Sequence, residues 1–137
     1  MELKKYLLHL KSSSGFVIAD AEYQFDEDND LAILKLFIDG NIIEVSGECT
    51  EGVFMKISRI LSDRYEIHSC YTCRYGNFCP VGDRDNEIFC INDFEPKRKE
   101  DILYIFQNGE EMKKRSRTLF YICDGYKPCD DNYWTYK

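Results

Sequence analysis

Apolar and polar residues alternate along the first half of the chain, and that alternation predicts an antiparallel meander. In residues 16–25, Val17, Ala19, Ala21, Tyr23 and Phe25 fall on one face of an extended strand and Asp20, Glu22 and Gln24 on the other. A short strand over residues 3–10 precedes it, joined through the turn Ser12-Ser-Ser-Gly15. Residues 31–38 are more continuously apolar, as expected of a central strand, and follow the polar connection Asp26-Glu-Asp-Asn-Asp30. Asp39-Gly40, a pair that tolerates positive φ, predicts a hairpin into a strand at residues 42–45.

Beyond Val45 the period changes. Thr50 is suited to cap a helix over residues 50–62, because its hydroxyl can accept an orphan amide of the first turn. Val53, Ile57, Ile60 and Leu61 then share one face, with Phe54 at its edge. Strands are expected at residues 65–69, 87–91 and 118–123. A second helix should begin near Pro96, bury Ile102, Leu103, Ile105 and Phe106, and stop at Asn108-Gly109. Residues 110–117 read as a charged linker with room for one helical turn. The expected fold is α+β: a mostly antiparallel sheet of five to seven strands packed by two helices, in a single domain, with a cysteine loop at one end.

Composition narrows the function. The chain has 137 residues, 44% of them hydrophobic, so it has the means to fold. Acids outnumber bases 25 to 18, for a formal charge of −7. Such a surface disfavours nucleic acid or anionic membrane as the main partner and suits a basic protein. Residues 1–11 carry a short apolar run broken by His9, unlike a secretory signal, and no run approaches the length of a membrane span. The expected compartment is a reducing cytoplasm, where clustered cysteines bind metal more often than they form disulfides.

There are seven cysteines. Cys70-Tyr-Thr-Cys73 places two sulfurs on one tight loop, within reach of a single tetrahedral ion at about 2.3 Å. Cys90 and Cys123, on or beside expected strands, are the favoured second half; Cys79, Cys129 and His68 remain open as substitutes, and Cys49 stands apart. The spacing matches neither common ferredoxin pattern, so zinc is favoured over an iron–sulfur cluster. Four thiolates around one Zn²⁺ would take the formal charge from −7 to −9. A closed site of four thiolates leaves no position for water, so it would fold the chain rather than catalyse. The competing reading is that these cysteines are small buried hydrophobes.

Other chemistry is weaker. Asp26, Asp28 and Asp30 imitate the opening of a calcium loop, but Leu31 and Phe37 stand where glycine and glutamate are needed. No phosphate loop, nucleophile elbow or zinc-protease helix occurs. Asp83, Asp85 and Glu87 in the cysteine loop, with Tyr133 and Trp134 in the tail, are candidates for a partner-binding face. Lys97-Arg-Lys99 and Lys113-Lys-Arg-Ser-Arg117 are the basic patches a nucleic-acid-binding alternative would use.

Through Cys70, Cys73, Tyr75, Pro80, Gly82, Cys90, Lys97 or Lys99, and Cys123, the last 70 or so residues resemble a family of small, largely uncharacterised bacterial cytosolic proteins. The resemblance implies a metal-stapled α+β domain without known catalysis; Cys79 and Cys129 are extras to its pattern. Size and acidity also resemble immunity proteins of bacterial toxin systems, by type rather than by motif. The expectation is a non-enzymatic protein-binding module with structural Zn²⁺ on Cys70, Cys73, Cys90 and Cys123, plausibly an immunity-type inhibitor of a basic toxin domain. The alternative is a zinc-containing nucleic-acid-binding or regulatory protein.

Overall fold

The computed structural model describes residues 2–79, 84–129 and 135. The fold is α+β, and the chain forms two compact units, Met1–His68 and Ser69–Lys137. The boundary falls inside residues 65–69, which the alternation reads as one strand, so no polar or glycine-rich linker announces it. Among the described residues no helix is long and apolar enough to cross a membrane.

The first unit holds a five-stranded antiparallel sheet in the order β4-β3-β2-β1-β5. Its strands are β1 Lys4–Ser12, β2 Gly15–Asp26, β3 Leu31–Ile38, β4 Asn41–Gly47 and β5 Glu66–Ile67. Period-2 patterning sets the register: Leu8 opposes Ala19, and Tyr23 opposes Leu34, which opposes Val45, all buried. Asp39 and Gly40 take φ of 53° and 75°, the left-handed pair that a two-residue hairpin requires. At the β2–β3 turn the Asp26 carboxylate accepts from the Asp28 amide and the Asn29 side chain. The aspartates there organise a turn.

Helix α1, Thr50–Leu61, packs on β3, β4 and β5 through Val53, Phe54, Ile57 and Leu61. Two expectations fail here. Ile60 is 54% exposed while Phe54 is fully buried, because the inward face is rotated toward Phe54. Thr50 is not the cap: its hydroxyl is buried and bonded to the Tyr23 phenol, and the Cys49 sulfur accepts the Gly52 amide instead. A thiol is a weak acceptor, so Cys49→Ser is expected to stabilise this unit by up to about 1 kcal/mol. A urea midpoint that fell would contradict the capping role.

The second unit has a three-stranded antiparallel sheet, β6 Gly76–Phe78, β7 Ile88–Cys90 and β8 Ser116–Arg117, in that order. Helices α2, Glu100–Phe106, and α3, Gly109–Arg115, cover Phe89, Ile91, Ile102 and Ile105 together with Phe106 and Met112. Pro96 precedes α2 by four residues, since the Asp101 carboxylate first accepts the Lys97 and Arg98 amides in a turn of its own. Asn108 caps α3 with its side-chain oxygen, so the expected linker is a third helix. Among the described residues the last strand is the polar pair Ser116–Arg117, not residues 118–123: Leu119 and Phe120 leave the sheet in a turn and bury their side chains.

Candidate metal centre

Backbone pairing explains how cysteines far apart in sequence come to share one place. In the β6–β7 ladder Gly76 opposes Cys90, and the Ile91 amide donates to the Tyr75 carbonyl at 2.9 Å. The Cys70 amide donates to the Tyr121 carbonyl at 2.7 Å, two residues before Cys123. The Arg74 amide donates to the Lys127 carbonyl at 2.8 Å, and Cys73 forms a bridge with Pro128. The Thr72 and Tyr126 hydroxyls meet at 2.9 Å. The cysteine loop is thus held by β7 on one side and by residues 121–128 on the other.

The outcome is a cavity of about 240 Å³ whose wall includes Cys70, Cys73, Cys90 and Cys123. Tyr75, Gly76, Ile88, Asn92, Arg117, Tyr121 and Gly125 complete it. Burial pushes the Cys70 thiol up from its ordinary 9.0 to about 12, and the charges of Cys73, Cys90 and Cys123 add to the rise. Cys90 is raised by burial first and by the charges of Cys73 and Cys123, against a backbone hydrogen bond from Asn92 and the charge of Arg117. Without a cation Cys70 stays a thiol at neutral pH, a poor nucleophile.

Among the described residues no group of three or more His, Cys, Asp or Glu side chains is drawn together closely enough to hold a metal ion as it stands. The donor set nevertheless fits zinc chemically: soft sulfur, four in number, on one small cavity, with an amide already directed at Cys90. Gathering the sulfurs onto an ion asks for closure of that cavity.

The remaining sequence candidates go elsewhere. Cys79 is buried among Phe89, Ile91, Ile102 and Ile105, a small hydrophobe in the core. Cys129 is exposed, its thiol 3.4 Å from the Thr72 carbonyl. His68 belongs to the first unit, edge-on to the Phe16 ring and 3.7 Å from Glu66. Asp85 cannot serve on a binding face as expected. It is 2% exposed, and its carbonyl accepts the Leu119 amide. Glu87 is half-buried. Asp83, Tyr133 and Trp134 lie outside the described residues.

The sequence reading left out Asn92, Arg117, Tyr121 and Gly125. A signal was there for two of them: Cys90-Ile-Asn92 and Cys123-Asp-Gly125 both place a turn-forming residue two after a cysteine. Arg117 was absorbed into a basic patch.

Arg115 braces the site from behind β7. It is buried, donates to both Asp93 carboxylate oxygens at 2.6 and 2.8 Å and to Glu111 at 2.8 Å, and reaches the Cys90 carbonyl at 3.0 Å. The bond from Arg115 holds the Asp93 carboxyl below its usual range. A lysine cannot reproduce this fork, so Arg115→Lys is expected to destabilise the metal-loaded second unit by roughly 1–3 kcal/mol. Urea unfolding with saturating zinc measures it, and an unchanged midpoint would remove Arg115 from the account.

Compared with family models, with curated protein sequences and with solved structures, the chain matches none.

Proposed function

We propose that the protein is a non-enzymatic protein-binding module whose second unit is stapled by Zn²⁺ on Cys70, Cys73, Cys90 and Cys123. One observation carries this reading: four cysteines from three separate stretches of chain line one small cavity. Size gives a reason for a staple. The length of the whole chain needs none, but a unit of 69 residues, Ser69 to Lys137, falls in the range where a hydrophobic core alone rarely contributes more than about 3–5 kcal/mol. A four-thiolate ion is coordinatively closed, so the site is architecture and the surface is left for recognition.

The surface favours a basic partner. A formal charge of −7 steers such a protein in and raises its association rate. Within the expected basic patches Arg115 is consumed by Asp93 and Glu111, and Arg98 faces Glu100 and Asp101, which weakens a nucleic-acid role. A thiol enzyme is disfavoured by the raised Cys70. An immunity-type inhibitor covering a basic toxin domain combines acidity, small size and a metal-stapled unit. Affinity capture from the native host at low and high salt tests it. The expected result is one stoichiometric basic protein whose association slows as salt rises; capture of nucleic acid, or no protein partner at either salt, overturns it.

A further inference from the structure

We propose that Arg117 is the counter-charge of the metal centre, a positioning residue that makes a four-thiolate site tolerable in this cavity; the inference rests on the zinc reading above. Four thiolates around a divalent ion leave two negative charges. The wall that must hold them is otherwise uncharged: Tyr75, Ile88, Asn92, Tyr121 and two glycines. A half-buried double charge beside apolar groups is costly unless a cation faces it. Among the described residues that line the cavity, Arg117 supplies the one fixed positive charge.

Two observations make Arg117 available for this role. Its hydrogen bonds go to two backbone carbonyls, Lys114 at 3.2 Å and Ser116 at 2.8 Å, and among the described residues no carboxylate neutralises it. That differs from Arg115, two residues earlier, whose guanidinium is occupied by Asp93 and Glu111. Arg117 also sits on β8, which pairs with β7 so that Arg117 opposes Ile88, two residues before Cys90. The strand that carries a cysteine and the strand that carries the cation are therefore held in fixed register.

The test is metal affinity, measured on the full chain by chelator competition for zinc and by the thiolate-to-metal absorption of bound cobalt. Arg117→Gln is expected to weaken zinc binding tenfold or more, in the range seen when groups behind metal ligands are removed. The cobalt spectrum should stay tetrahedral. Arg117→Lys, which keeps the charge and loses the fork, should stay within about threefold of the parent. Binding by Arg117→Gln within twofold of the parent would overturn the proposal, as would equal damage from Arg117→Lys. If Arg117→Gln does not fold, Arg117→Lys decides alone: affinity within threefold supports the charge role and a tenfold loss overturns it. If the parent chain itself shows no cobalt–thiolate band, the zinc reading fails first and this one with it; a normal parent beside an unaffected Arg117→Gln defeats this one alone.

Discussion

Stripping the metal with a strong chelator is expected to unfold residues 69–137 and leave the five-stranded sheet of residues 1–68 standing. The first unit closes its own core: Leu8, Leu10, Tyr23, Leu34 and Leu36 from the sheet meet Val53, Phe54 and Ile57 from α1. The second has strands of three, three and two residues and helices of seven residues each. Structural zinc in small domains is worth on the order of 10–16 kcal/mol, more than such a unit's own core provides. Amide exchange resolves the two units. Protection at Gly76–Phe78 and Ile88–Cys90 should be lost in chelator, while that of Lys4–Ser12 through Asn41–Gly47 persists. Cys73→Ser should reproduce this without chelator, and Cys49→Ser should not, because Cys49 caps a helix in the other unit. Protection unchanged in both units would mean that no metal holds the second together.

Gly76→Ala should be the most damaging single substitution that leaves every cysteine in place. A Cβ at Gly76 would collide with the Cys70 carbonyl oxygen and lie 2.8 Å from Cδ1 of Ile88. The Ile88 methyl can turn aside. The carbonyl is backbone, and it accepts the Cys73 amide at 3.3 Å in the turn that aims both sulfurs. Either the Cys70–Cys73 turn moves or Gly76 loses its place opposite Cys90. Overpacking of this kind costs about 1–3 kcal/mol, and displacement of backbone puts this case at or above the upper end. Zinc affinity should fall more than tenfold alongside. Gly109→Ala, where a Cβ meets nothing within 4 Å, is the control and should leave both quantities unchanged or slightly improved. If the two alanine variants bind zinc equally, the close approach at Gly76 does not shape the site.

The meander was readable because its strands bury alternate residues, and Asp39-Gly40 has few conformational alternatives. That Cys70 and Cys73 share a cavity was readable because a Cys-x-x-Cys loop keeps two sulfurs close, whereas the choice of Cys90 and Cys123 over Cys79 and Cys129 as their neighbours depends on how the strands pair. What escaped depends on contacts between distant residues. Thr50 has the chemistry of a cap, but Tyr23, 27 positions earlier, takes its hydroxyl. Asn108 looks like a helix stop and is the cap of the next helix, two residues after α2 ends. Residues 118–123 are an apolar run of strand length, yet Leu119 and Phe120 are buried by turning, and the ladder goes to Ser116–Arg117, whose polarity hides a strand. Asp85 reads as a surface acid and is enclosed. None of these could be had from local pattern, because each is decided by the partner rather than by the residue.

X-ray absorption at the zinc edge, on untagged protein from its own host, tests the central claim most directly. The account predicts about one zinc per chain with four sulfur neighbours at about 2.3 Å, reduced to three sulfurs or none when Cys70, Cys73, Cys90 or Cys123 is replaced by serine and unaltered by Cys49→Ser, Cys79→Ser or Cys129→Ser. Protein that carries no zinc, or zinc ringed by nitrogen and oxygen, would contradict it.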